Sequence, residues 1–300
     1  MPQPRHLAET PSLTATVPCQ LVHRASVAET FLTGWSRTAA DRFLVSAQWP
    51  RAHGLHVSAD RSAYEPLLVV ETVRQSGTLI AHTEYDVPLG HHFVLQEFEI
   101  DTFPPHLAVG AIPAEPVVEV AFTEVQYRGR RPVAARYTAE VTHGGDRVAT
   151  ARVAFSCTGE SVYRRLRGGR TPDTVAGLPL PPALPAAVVG RALTEDVVLA
   201  PGDRPDRWRL RVDTAHPVFF DHPLDHVPGM LLLEAARQAV AARTPGARLP
   251  VSFRIAFHRY AELDQTTWIE VSDGGEGVVQ VVGKQGDSAV FVCAVGAGES

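Results

Sequence analysis

The 300-residue chain is poor in several residue types that commonly carry function. Lys284 is its only lysine among 28 basic side chains, and it has two methionines and three cysteines. With Ala, Gly and Pro plentiful, the lack of lysine reflects codon bias from a GC-rich genome rather than chemistry. Cys19, Cys157 and Cys293 lie far apart, which excludes a disulfide framework and a paired-cysteine zinc site. A reducing cytoplasm is the expected compartment. No apolar run approaches the ~18 residues of a membrane span, and the N-terminus has no basic-then-apolar leader. A net charge of −5 and a pI near 6.2 carry no electrostatic footprint for nucleic acid. No Ser or Cys sits in a nucleophile elbow, and no motif calls for a cofactor or a resident metal.

What the chain does have is a repeat. Glu71-Thr72-Val73-Arg74-Gln75 recurs in the other half as Glu234-Ala235-Ala236-Arg237-Gln238, each copy behind an apolar run, Leu67–Val70 and Met230–Leu233. A Glu and an Arg inside an apolar helix are costly unless paired or working. Their recurrence at matched places predicts a duplicated fold with polar residues on its helices.

The patterns around the repeat agree. Residues 1–16 are polar and read as a flexible N-terminus. Arg42–Trp49 reads as a strand, 66–85 as a helix, and 93–103, 117–127, 133–142 and 147–156 as alternating strands, the last two joined by a hairpin turn at His143–Asp146. A first domain over 17–157 follows. Residues 158–187 carry four arginines between Arg164 and Arg170, then Pro172, Pro179, Pro181, Pro182 and Pro185, and read as a solvated linker. The second domain, 188–296, repeats the order, with a strand at Trp208–Thr214, a helix over 228–242 and strands at 251–260, 266–271, 277–283 and 289–295. Turns are expected at Asp273–Gly275 and Gln285–Asp287. The fold class is α+β, a helix laid on a curved antiparallel sheet made twice. A homodimer is also open to such a chain.

On a 3.6-residue period Met230, Glu234, Arg237 and Gln238 share a face, as do Leu67, Glu71, Arg74 and Gln75. Two readings stand. Glu and Arg at i, i+3 can form a buried ion pair that orients the helix. Alternatively the Glu is a general base whose pKa burial raises, and the Arg clamps a phosphate with its planar fork. Pro228-Gly229 gives the second helix a start with free N–H groups, where a thioester oxygen could be polarised; good capping explains it equally. His222 and His226, beside Asp221 and Asp225, are candidates for substrate contact or proton transfer, or for a packed helix entry.

The stretch from Phe219 to Gln238, with Pro228-Gly229, Glu234 and Gln238 in register, resembles the hot-dog signature of hydroxyacyl-carrier-protein dehydratases. Its loop is shorter, which leaves the catalytic-His place open between His222 and His226, and those enzymes lack the Arg at 237. That Arg, the duplication, Leu21-Val22-His23-Arg24, the stretch from Glu65 to Gln75 and that from His82 to Gly90 resemble the A-factor biosynthesis (AfsA) family. The resemblance implies a double hot-dog acyltransferase with no cofactor. Its partners would be a medium-chain 3-oxoacyl group on acyl carrier protein and dihydroxyacetone phosphate. The ester formed would be a precursor of γ-butyrolactone, butenolide or furan signals controlling secondary metabolism. The implied roles are a base at Glu234 or Glu71 aided by His222 or His226, and substrate binding by Arg237, Arg74, Gly229, Gln238 and Gln75. Of the two halves, the second keeps the fuller set. A dehydratase or thioesterase on the same fold, or a non-catalytic acyl-ligand binder, are the rival expectations.

Overall fold

The computed structural model describes residues 15–175, 177–244 and 250–297. The first half runs β1 (Leu32–Ala39), β2 (Arg42–Ala47), α1 (Pro66–Glu84), β3 (His92–Thr102), β4 (Val117–Arg128), β5 (Arg131–His143) and β6 (Asp146–Thr158). A short helix α2 (Glu160–Leu166) follows. The second half runs β7 (Leu199–Arg204), β8 (Arg207–Leu210), α3 (Gly229–Arg243), β9 (Pro250–Phe257), β10 (Trp268–Gly275), β11 (Val278–Gln285) and β12 (Ser288–Ala297).

All twelve strands form one antiparallel sheet in the order β1-β2-β4-β5-β6-β3-β9-β12-β11-β10-β8-β7. Read outward from the β3–β9 seam, both halves have the same topology, so the duplication legible in the helices extends to every strand. The seam pairs Glu97 with Ala256 through Asp101 with Ser252.

Pro66 opens α1 where its missing N–H costs nothing. The helix is buried on nearly every side, since Leu67–Val70, Val73 and Leu79–Ala81 all pack inside. Each fully buried aliphatic side chain there contributes about 1.5–3 kcal/mol. Gly77 lets the sheet approach: a Cβ there would lie 2.4 Å from the ring of Tyr137 on β5, whose hydroxyl donates to the Val73 carbonyl at 3.0 Å.

Three local expectations are corrected. β10 continues through Gly275, and the turn falls on Glu276-Gly277, both at positive φ. The edge strands β1 and β7 escaped the pattern because Gly34, Ser36, Pro201 and Gly202 break their alternation, a composition typical of blunted sheet edges. The connection between the halves is not simply solvated. Its arginine-rich stretch forms α2, and Arg167 is buried, donating to Asp225 at 2.8 Å and to both oxygens of Glu262 at 2.8 Å while lying over the Tyr260 ring. Arg167→Ala should therefore cost about 1.5–3 kcal/mol, because Asp225 would be left buried without its charged donor. A chemical-denaturation midpoint unchanged from the parent would show the contact to be idle. The expected loose N-terminus, 1–16, lies almost wholly outside the described residues.

Candidate functional site

The polar residues of α1 and α3 each anchor a network, and the two networks match. Ahead of each half lies a 3-10 turn, Cys19–Val22 or Ala186–Val189, then a left-handed residue, His23 (φ 54°) or Gly190 (φ 66°), then an arginine. Arg24 Nε donates to Glu71 at 2.9 Å, and Arg191 Nε to Glu234 at 2.8 Å. Each arginine also reaches across the pseudo-two-fold. Arg24 donates to the Val218 carbonyl at 3.0 Å and Arg191 to that of Leu55 at 2.7 Å. Along the chain, Val218 stands to Leu55 as Glu234 stands to Glu71, so these crossing bonds belong to the duplication too.

Gln75 and Gln238 are buried and wholly engaged. Gln75 Nε2 donates to Glu71 and to the Glu29 carbonyl, and its oxygen accepts from the Phe31 N–H. Gln238 does the same with Glu234, Asp196 and Val198. His53 and His216 staple the loops before the helices. In each, Nδ1 accepts two backbone N–H groups, so the proton sits on Nε2 and is aimed at Glu29 or Asp196. Glu29, His53 and His56 come within metal-ligating distance of one another. In that tautomer His53 has no lone pair to offer a cation.

The symmetry breaks at the second arginine of each helix. Arg237 is 3% exposed and gripped by Glu65, with Nε at 3.0 Å, while its other nitrogens reach the carbonyls of Val189 and Gly190. Arg191, Arg237, Glu65 and Glu234 thus form a closed, self-neutralising set of buried charges. Glu65 immediately precedes α1, and the matching place ahead of α3 holds Pro228, which brings no carboxylate. Arg74 binds both oxygens of Glu71 (2.8 and 2.6 Å) and the Val22 carbonyl, meets no carboxylate from the other half among the described residues, and has 22% of its side chain exposed. One network is shut, and the other has an open guanidinium.

The two candidate histidines part company. His222 bonds Asp221 at 2.6 Å, and Asp221 also accepts the Ala25 N–H at 2.8 Å and lies 3.5 Å from Arg24. His222 therefore belongs with Arg24, Glu71 and Arg74, across the pseudo-axis from its own helix. His226 bonds Asp225 at 2.7 Å, and Asp225 also takes the Tyr163 hydroxyl and Arg167. That histidine sits in the knot that docks α2. Gly229 opens α3 as expected, against Phe257.

The raised carboxyl pKa expected of a buried base is not found, and that reading is corrected. Burial pushes Glu71 upward, but Arg24 and Arg74 outweigh it and hold the carboxyl well below its ordinary range. Arg191 and Arg237 likewise lower the carboxyl of Glu234 against the upward push of its burial. Beside Arg74 stands a pair for which residue spacing offered no chemistry. His82 Nδ1 donates to the Val87 carbonyl at 2.7 Å, and His82 Nε2 lies 2.8 Å from His23 Nε2. Burial, then His82 and Arg74, push His23 down to about 3. Arg191, Glu65 and Asp221 were also missed. A signal for the first existed in the sequence, since Leu21-Val22-His23-Arg24 and Val188-Val189-Gly190-Arg191 share an apolar-Val-x-Arg pattern at matched places in the two halves.

A helix cradled by an antiparallel sheet, built twice in one chain with its charged groups where the helices meet, defines a double hot-dog protein. The chain belongs to the A-factor biosynthesis hotdog domain family, matching it over residues 6–159 and 173–294. It is 48% identical over 290 residues to the 2-oxo-3-(phosphooxy)propyl 3-oxoalkanoate synthase of Streptomyces virginiae, covering 95% of this chain and 98% of the relative. The protein of the same name from Streptomyces coelicolor is 40% identical over 282 residues, covering 92% and 90%. Among solved structures, the 12:0-ACP thioesterase from Umbellularia californica shares the fold at a TM-score of 0.53 and 11% identity, over 87% of this chain and 98% of that one. Among the described residues no helix is long and apolar enough to cross a membrane.

Proposed function

We propose that this protein is an acyltransferase that moves a medium-chain 3-oxoacyl group from the thioester of an acyl carrier protein to a hydroxyl of dihydroxyacetone phosphate. The product is a 2-oxo-3-(phosphooxy)propyl 3-oxoalkanoate, a precursor of diffusible lactone- or furan-type signals. The relatives carry the name of this reaction over nearly their whole length. The observation that carries the reading to this site is Arg74, a guanidinium held rigid by Glu71 yet open to a ligand. A phosphate oxygen there would accept a charge-assisted bond from a fork already oriented, at little entropic cost.

In this reading Arg74 holds the phosphate, and Glu71, itself held by Arg24, positions that guanidinium. The free N–H groups at the Gly229 start of α3 polarise the thioester carbonyl. The hydroxyl oxygen attacks that carbonyl, the C–S bond breaks, and the hydroxyl proton leaves on the thiol. Glu234, Arg237 and Gln238 are assigned a structural role, the closed copy of the same device, and His226 a role in docking α2.

Incubating the protein with a 3-oxoacyl carrier protein and dihydroxyacetone phosphate should give the phosphorylated ester by mass, with release of free carrier thiol. Release of the 3-oxo acid without ester would mean a thioesterase, and no turnover of the thioester would mean a binder.

A further inference from the structure

We propose that His23 is the proton acceptor of this site: its Nδ1 takes the hydroxyl proton of the phosphorylated acceptor as the oxygen attacks the thioester carbon, and passes it to the departing sulfur. The inference rests on the acyl-transfer reading above and assigns the one chemical role that reading leaves without a residue.

Hydrogen-bond logic fixes the tautomer. A carbonyl can only accept, so His82 must carry its proton on Nδ1, facing Val87. Neutral His82 then presents a lone pair on Nε2, and the 2.8 Å contact requires His23 to donate from its own Nε2. That leaves His23 Nδ1 unprotonated. Among the described residues it has no hydrogen-bond partner, and it is not one of the enclosed unpartnered atoms, so it is open to a ligand. The ring is held against the edge of Phe93 at 4.9 Å.

Its position suits the task. The residue before His23 gives its carbonyl to Arg74, and the residue after it is Arg24, paired with Glu71. The next two backbone N–H groups hold Asp221, which holds His222. His23 is therefore built into the set of contacts that would surround a phosphate on Arg74. Glu71 cannot take its place, because both its oxygens are occupied by Arg24, Arg74 and Gln75. The backbone adds an independent sign. His23 occupies a left-handed conformation (φ 54°) where the matching position of the other half has glycine. A non-glycine residue in that region is kept at a cost. Burial, then His82 and Arg74, lower the proton affinity of the free ring, which disfavours proton uptake while the site is empty. A phosphate on Arg74 offsets part of that cationic influence when the ring must take a proton.

His23→Gly is the informative variant, since it copies the residue of the matching turn and removes the imidazole without backbone strain. Its kcat should fall by roughly 10²–10⁴-fold. The KM for dihydroxyacetone phosphate should stay within a few-fold and the melting temperature near the parent's, and added imidazole should restore part of the rate. A folded variant with near-parental kcat, or a loss confined to KM, would overturn the assignment. His82 is a positioning residue: His82→Leu should lower kcat and leave KM alone, while His82→Gln, which keeps an acceptor for His23, should recover much of the rate. Should His23→Gly fail to fold, nitrogen-15 NMR of the parent protein decides: His23 protonated on Nδ1 rather than Nε2 would refute the role. Absence of ester with the unaltered protein would overturn the acyl-transfer reading, and this role with it.

Discussion

Arg74→Lys should raise the dihydroxyacetone phosphate concentration needed for half-maximal turnover by roughly 10–10²-fold, because one charge-assisted bond of about 1.5–3 kcal/mol is lost. A lysine keeps the charge but not the fork that meets Glu71 with Nε and Nη2 and still has Nη1 for a ligand. Unphosphorylated dihydroxyacetone should be used almost as well by the variant as by the parent. Equal losses with both acceptors would make Arg74 a structural residue and remove the phosphate from this site. Arg237→Lys gives the contrast. Its guanidinium is enclosed by Glu65 and two carbonyls, so it should lower stability without discriminating between the acceptors.

Glu234→Ala should be the most damaging single change to the fold. Four buried charges, Arg191, Arg237, Glu65 and Glu234, balance two against two. Removing one carboxylate leaves a buried cation uncompensated, at about 3–5 kcal/mol. The melting temperature should drop by roughly 5–15 °C, and turnover should be lost in proportion to the folded fraction. A protein that melts like the parent yet has lost its turnover would return Glu234 to the role of catalytic base. Replacing Glu65 and Arg237 together by apolar residues of similar volume should be tolerated far better than either alone, since the charge count then stays even.

The architecture was legible because its signals are local and repeated. The two pentapeptides, the helical period behind Pro66 and Pro228, and the alternating strands with Gly-rich turns marked out the elements and their duplication. Patterning failed where tertiary contacts override it, as in the glycine- and proline-broken edges β1 and β7 and just past α2, where Arg167 looks solvated until Asp225 and Glu262 are placed beside it. The site was only half legible. Which residues carry charge could be read along the helices. Which charges cancel could not, because Arg24 and Glu71 come from separate elements, and Glu65 and Arg237 from opposite halves of the chain. The tautomer of His23 depends on a chain of contacts through His82 to Val87, and no spacing rule encodes it.

The seam between β3 and β9 has a further consequence. Were the halves identical subunits encoded once, a carboxylate gained ahead of the helix would appear in both, and either both clefts or neither would be stoppered. Covalent fusion lifts that constraint, so a lineage can vary one cleft while the other hardens into ballast. Glu65 facing Arg237, with Pro228 at the matching place, is a divergence that a fused duplicate can accumulate and a subunit encoded once cannot. Pro228→Glu would reimpose the lost symmetry and test how much of the enzyme's design resides in having broken it.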